Sequence, residues 1–584
     1  MKKRSTRLTA AAGAVVLSLV LAACGQAAAA ENTADVGTAE FDDGSTGVVN
    51  PSDHRGGVLK FGLRGDFDST DPGAMYYAFS NNFSRLYARG LLTYASVPGV
   101  DGTKPVPDLA VALGEPSDGN KTWTYTLRTG IKYEDGTEVS AQDVKYAVAR
   151  TFDRDVLQSG PAYFKTLLDA EGYQGPYKDP DLAHFTGVET PDDHTVVFRL
   201  KKPFSEFNEL LMFSGQTAPV PQAEDRGADY RLHPLSTGPY MWDGEYVPGV
   251  GGALVRNPHW DAATDPNRKQ LPDRIEVTAK VKGTEIDARV LSGEFHVAMT
   301  GNGLGAAARD TVLGDPVLKA MADNPVTGFH NYIPINTKEI PNVECRRAII
   351  YAADRDAMWR AYGGEIGGEM ATSILPPGIP GRKPADDRHS GRPGYHGDIR
   401  KAKVALAKCG KPRGFATVMT YHGGDADKTA AEALQTSLAR VGIKVTLKTF
   451  DEGSYATDQV GSPAFMAREH IGLATYGWAA DWPTGYGFMQ PVLDGRAIQP
   501  TGNVNVSQLD DPRINALWDR AIQLEDPAER EKIYNRIDRR ALELGALVPN
   551  IYVKSLLYRP ETLTNVYFHQ GYNMYDYASL GLSG

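Results

Sequence analysis

Between Lys121 and Phe152 the apolar pattern of the chain changes its period, and a chain that does this repeatedly can fold only with helices and sheets interleaved. Trp123, Tyr125 and Leu127 alternate with threonines, the period-two signature of a strand with one buried face. Asp135-Gly136 marks a tight turn. Ser140 followed by Asp143 has the spacing of a capping box, and Val144, Val148 and Phe152 then recur every four residues along one helix face. The unit reads as strand, turn, helix.

The same alternation returns along the chain. Val58–Leu63 reads as a strand, and Asn81–Leu92 as a helix with Phe83, Leu86 and Tyr87 on one side. Asp398 is placed to cap a helix whose Ile399, Ala402 and Leu406 share a face, with Gly410 at its stop. A strand at Ala416–Thr420, a helix carrying Leu434, Leu438 and Val441, and a strand with Ile443, Val445 and Leu447 facing one way make a βαβ unit. Asp526-Pro527-Ala528-Glu529 opens another helix in the preferred order. The body is therefore expected to be α/β. About 560 residues of it, at 41% hydrophobic composition, bury enough core for two or more domains.

The N-terminus sets the compartment. Lys2, Lys3, Arg4 and Arg7 precede an apolar run from Ala11 to Ala23, and Leu21-Ala22-Ala23-Cys24 closes it with small residues. That order is a secretory signal, too short to span a bilayer. A small-residue site ending at a cysteine matches a lipobox, so Cys24 is expected to be the acylated first residue of the mature chain and its membrane anchor. Residues 25–54 are rich in Ala, Gly, Asp and Thr and read as a flexible tether, with the folded body starting near Gly56. Removing residues 1–23 leaves 58 basic against 72 acidic residues, a formal charge of −14. Nucleic acid and anionic lipid are poor partners for such a surface. Cys345 and Cys409 then remain, too few for a disulfide scaffold or a metal cluster. Outside the cell they can pair, if their Cα atoms lie within bridging distance.

Catalytic signatures were sought because a surface lipoprotein can be a hydrolase. There is no Gly-x-Ser-x-Gly elbow, His-Glu-x-x-His site or Cys-x-x-Cys pair. Gly301-Asn-Gly303-Leu-Gly305 lacks the full spacing of a dinucleotide loop and a clear preceding strand, and reads as a flexible turn. Asp192-Asp193 and Asp510-Asp511 sit in polar turn contexts.

One ordered set of segments resembles a known family. Pro107-Asp-Leu-Ala110, Trp123 to Arg128, Gly130 to Val144, Ser236-Thr-Gly-Pro-Tyr240, Arg256-Asn-Pro258 with Trp260, Leu291-Ser-Gly-Glu294, and Arg347-Ala348 to Ala353-Asp-Arg355 follow one another in that family's order. Ile374-Leu-Pro-Pro-Gly378, Val441-Gly-Ile443 and Gly477-Trp-Ala-Ala-Asp481 complete the set. Together they are similar to the bacterial extracellular solute-binding proteins of family 5, the oligopeptide-, dipeptide- and nickel-binding receptors of ABC importers, over nearly the whole mature chain.

The resemblance implies a two-lobed, periplasmic-binding-protein-like α/β fold with an extra domain and a ligand cleft between the lobes. By analogy, domain I takes 55–92, 218–327 and 548–584, domain II 93–217, and domain III 328–547. It also implies a monomeric receptor without cofactor or metal, which hands an extended peptide to a permease with its ATPase. In peptide-binding members the carboxylate at Asp481 meets the ligand's α-ammonium, and the stretch from Gly477 through Trp478 and Ala479 lends backbone hydrogen bonds. A carboxylate in a closing cleft needs such a partner, and Trp478 brings apolar area and an indole N–H. Tyr76, Tyr77 and Ala78 align with the segment that pairs as a strand with the peptide. Some relatives carry an arginine where this chain has Thr475, which leaves the ligand carboxylate without an evident partner; Arg468 and His470 are the nearest alternatives in sequence. Rival readings are the same fold holding a nickel chelate, an oligosaccharide or a small metabolite, a lipid-anchored hydrolase, and a sensor or recruitment role without transport.

Overall fold

The computed structural model describes residues 39–213, 215–383, 394–450 and 454–584; Cys24 and the signal segment lie outside them. The fold is a two-lobed α/β arrangement. In one lobe a mixed sheet has the spatial order Val297–Ala298, Val58–Gly62, Arg274–Thr278, Gly251–Arg256, Tyr240–Trp242. Its first three strands run parallel and the others antiparallel. Beside it, Glu115–Ser117, Thr122–Thr126, Thr195–Arg199 and Val188–Asp192 form an antiparallel sheet. The helix Ala141–Arg150 covers that sheet. Ser140 and Asp143 form the expected capping box, and Trp123, Tyr125, Leu127, Val144, Val148 and Phe152 are buried in one cluster.

In the other lobe Lys444–Lys448, Ala416–Thr420 and Ile471–Ala474 make a parallel sheet, and the helix Asp425–Ala439 links the first two. Asp398 caps Ile399–Lys408, which packs on Val343–Ala352. Cys345 lies in the latter helix and Cys409 just past the former. They are joined, with Cα atoms 5.4 Å apart.

The chain passes between the lobes on two neighbouring strands. Val326–Pro334 and Leu547–Lys554 are antiparallel, with Val326 opposite Lys554 at one end and Pro334 opposite Leu547 at the other. Beyond the first end Ala322–Asp323 pairs with Leu557–Tyr558, among Val281, Ile286 and Phe295. At the second end Ile333 and Val548 are buried with Ile349, Leu434 and Leu473.

Three expectations need correction. The helix expected over Asn81–Leu92 occupies Ala78–Ser84 instead. The N–H groups of Leu86 and Tyr87 donate to carbonyls only three residues back, while the carbonyls of Leu86 and Tyr87 accept from Tyr240, Thr237 and Gly238. A side chain on Gly238 would place its Cβ 2.8 Å from the Leu86 oxygen, so the 236–240 turn can dock here only as glycine. Tertiary pairing thus takes the groups that a longer helix would have used. Second, residues 39–54 belong to the folded body rather than to a tether. Val49 is buried and paired with Val566, and the Gly44 N–H donates to the Asp323 carboxylate at 2.8 Å. Third, a short strand, Val297–Ala298, does precede the Gly301–Gly305 loop, and a helix, Ala306–Gly314, follows it. The loop serves packing: a Cβ on Gly303 would stand 2.8 Å from the Leu556 backbone.

Replacing both Cys345 and Cys409 by serine is expected to lower the urea midpoint of this lobe. For a sequence separation of 64 the chain-entropy account gives a loss of about 4 kcal/mol. An unchanged midpoint, or free thiols in the native protein under non-reducing mass spectrometry, would show that the bond carries no stability in solution.

Candidate ligand-binding site

The crossing strands position the site. Gly368–Met370, Leu547–Lys554, Val326–Pro334 and Tyr476–Trp478 form one antiparallel sheet in that order, so Tyr476–Trp478 is an edge strand, bonded on one side only. Gly477, Trp478, Ala479 and Asp481 line a cavity of about 440 Å³ between the lobes. The opposite wall includes Tyr76, Tyr77, Ala78 and Phe213 from the first lobe. An unpaired strand edge facing a cavity is a row of N–H and C=O groups without partners, a template for another extended chain.

Asp481 sits deep in this cavity. The Tyr76 hydroxyl donates to it at 2.8 Å from across the cleft, and the Tyr163 hydroxyl stands near enough to act on it electrostatically. Among the described residues no Lys or Arg forms an ion pair with it. Burial pushes its pKa up to about 6, with the two phenols pulling the other way. The carboxylate is therefore short of a cation.

A second carboxylate between the lobes is fully partnered. Glu206 accepts from the Trp482 indole N–H at 2.8 Å, from the Thr484 hydroxyl at 2.5 Å and from the Tyr534 hydroxyl. Arg530 stands 3.5 Å from it and donates to Glu209 at 3.0 Å. Burial, and then the Glu206 charge, raise Glu209 to about 7. Trp482 and Tyr486 complete this contact by packing against Phe204.

The structure thus brings Asp481, Trp478, Gly477, Ala479, Tyr76, Tyr77 and Ala78 to one cavity. Two of their expected contributions are revised. The Tyr76 and Tyr77 N–H groups both donate to the Asp68 carboxylate and Ala78 begins a helix, so this segment offers side chains rather than a strand. The Trp478 indole N–H is taken by the Phe488 carbonyl at 2.9 Å, leaving only its apolar face. Thr475 is buried, with its hydroxyl accepting from the His422 N–H and its carbonyl from Tyr455. Arg468 and His470 do not line the cavity: the first lies 3.4 Å from Glu469, the second 3.6 Å from Glu339. Sequence reading missed Tyr163, Glu206, Asp427 and Tyr455. No local pattern marks them, because lobe contact brings Tyr163 and Glu206 to the cleft and packing within the second lobe brings Asp427 and Tyr455.

Two lobes joined by paired strands, with a partly polar cavity between them, define a solute receptor that encloses its ligand. The chain belongs to the bacterial extracellular solute-binding proteins, family 5, whose model for the middle region matches residues 104–499. It is similar to the solved structure of a clavulanic acid biosynthesis oligopeptide binding protein 2, at 41% identity and TM-score 0.90, over 94% of this chain and 99% of that one. The glutathione-binding protein GsiB of Salmonella paratyphi A is 23% identical over 508 residues, 85% of this chain and 90% of its own. The fold also matches DppA from Helicobacter pylori in complex with peptide STSA, at 20% identity and TM-score 0.67, over 91% and 99% of the two chains.

Because the folded protein holds the Asp481 proton more tightly than an unfolded chain does, the stability this group contributes is full below about pH 4 and is lost as pH rises through 6. Above pH 6 the empty protein carries an underpaired charge. Asp481→Asn is expected to melt several degrees higher than wild type at pH 7.5 and to converge with it at pH 4, by differential scanning calorimetry without ligand. Glu206→Ala breaks a saturated contact between the lobes, at a cost of about 3 kcal/mol or more. Small-angle scattering of the empty variant should then give a larger radius of gyration; an unchanged radius would mean that Glu206 does not hold the lobes together.

Proposed function

We propose that this protein is the extracytoplasmic receptor of an ABC importer. It captures a short extended peptide between its lobes and delivers it to a membrane permease with its ATPase. On this reading it is a binding protein rather than an enzyme, a monomer held at the outer face of the cell membrane by lipid on Cys24. Domain I comprises 55–92, 218–327 and 548–584, domain II 93–217 and domain III 328–547, with residues 39–54 added to the first.

One observation carries the reading. A desolvated carboxylate, Asp481, lacks a cation at the end of a strand edge that lacks a partner strand. A peptide's α-ammonium supplies the first and its backbone the second. Main-chain pairing fixes direction and is common to all peptides, so side chains enter the rest of the cavity. The names of the relatives, which speak of oligopeptides and of glutathione, point the same way. Contact with both lobes is what lets such a ligand bias closure.

Calorimetric titration with matched tripeptides bearing a free or an acetylated amino terminus tests this. Acetylation should weaken binding at least tenfold, since it removes a charge-assisted bond. Affinity for the free form should fall about tenfold per pH unit below 6, where Asp481 must release a proton before pairing. Equal affinity of the two forms would sink the peptide reading and favour a solute without an amine, such as an oligosaccharide.

A further inference from the structure

The cavity that holds Asp481 contains a second carboxylate, Asp427. It lies in the first turn of Asp425–Ala439, where an acidic residue ordinarily satisfies free helix N–H groups. Among the described residues no backbone N–H donates to it. Its carboxylate instead accepts from the Tyr362 hydroxyl, one bond for a group with about four acceptor positions. No Lys or Arg among the described residues forms an ion pair with it. His422 is near enough to be felt electrostatically but makes no hydrogen bond to it, its ring lying edge-on to Tyr455 at 5.2 Å. Desolvation raises the Asp427 pKa, the Tyr362 bond and His422 acting against it. Tyr455 and Tyr476 line the same cavity. Tyrosine faces beside a carboxylate suit a planar cation, which stacks and pairs at once.

We propose that Asp427 is a cation subsite of the binding cavity, selecting peptides that carry a guanidinium or ammonium side chain in addition to the α-ammonium held at Asp481. This rests on the peptide reading above, and it accounts for a cavity with two underpaired carboxylates and no Lys or Arg among its lining residues. A peptide with one cation satisfies one of them; a peptide with a basic side chain satisfies both. An acidic side chain in the same place is repelled.

The test is a positional set of alanine tripeptides in which arginine is exchanged for citrulline, its uncharged isostere, at each position in turn, titrated into the full mature chain at pH 7.5. At one position arginine should bind tenfold or more tighter than citrulline. In Asp427→Asn that ratio should fall to within about twofold of one, while affinity for the citrulline peptide stays within about twofold of wild type, which also shows that the variant is folded. Asp481→Asn should weaken both peptides alike and keep the ratio. Equal binding of arginine and citrulline peptides at every position overturns the subsite alone, as does a ratio that survives Asp427→Asn. Failure of every tripeptide to bind overturns the peptide reading and the subsite with it.

Discussion

The site depends on one constraint: the chain enters and leaves the second lobe on two strands that are hydrogen-bonded to each other. Val326–Pro334 and Leu547–Lys554 pair from end to end, with register shifts between Val326 and His330 and between Asn331 and Tyr332, so the lobes are tied by a narrow ribbon and each carries its own core on its own side of it. Tyr476–Trp478 is the next strand of the same sheet, which places the open strand edge beside the ribbon itself. Tyr76 and Tyr163 reach Asp481 from the other lobe. The cavity has no existence in either lobe alone, and its electrostatics are made by their approach.

That approach treats two carboxylates in opposite ways. Glu206 is buried but saturated, with three neutral donors and a nearby guanidinium, so it acts as a fastening between the lobes. Asp481 receives the Tyr76 hydroxyl, has that of Tyr163 nearby, and among the described residues forms no ion pair with Lys or Arg. A buried charge that is paired is tolerated, and one that is not raises the energy of the state that buries it. The closed empty protein therefore contains its own counterweight: the Glu206 contact favours closure, and the bare Asp481 opposes it. On the peptide reading proposed above, a cationic ligand would remove the opposition without altering the fastening, which is the form of coupling that makes closure report occupancy.

What was legible in the sequence was local. The alternation at Trp123, Tyr125 and Leu127, the Ser140–Asp143 box and the Asp398 cap each use chemistry contained within a few residues, and each stands in the structure as the pattern implied. The segment 81–92 failed because the carbonyls of Leu86 and Tyr87 bond to residues more than a hundred positions away. Residues 39–54 failed for a related reason: a stretch poor in aromatics can still be ordered when its backbone and one carboxylate, Asp42, pair with the 322–324 segment. In the site, the motif around Trp478 and Asp481 was visible as a motif. Its meaning was not, because the loss of the indole N–H to Phe488 and the gain of Tyr163 are properties of packing.

Asp427 shows the same limit from the other side. In sequence it is an acid at the start of a helix, the most ordinary place for one. Only the fold reveals that its carboxylate turns away from the helix N–H groups toward Tyr362 and the shared cavity. A receptor that recognises peptide backbone gains generality from its strand edge and has little means of discrimination there. Discrimination has to come from charge placed off that edge, and carboxylates on the cavity wall can supply it without narrowing the space for side chains. On that view Thr475 does not mark a missing cation. With two carboxylates and no Lys or Arg among the residues that line it, this cavity is suited to cationic ligands, and an arginine at Thr475 would have been drawn to the charges that the ligand needs free.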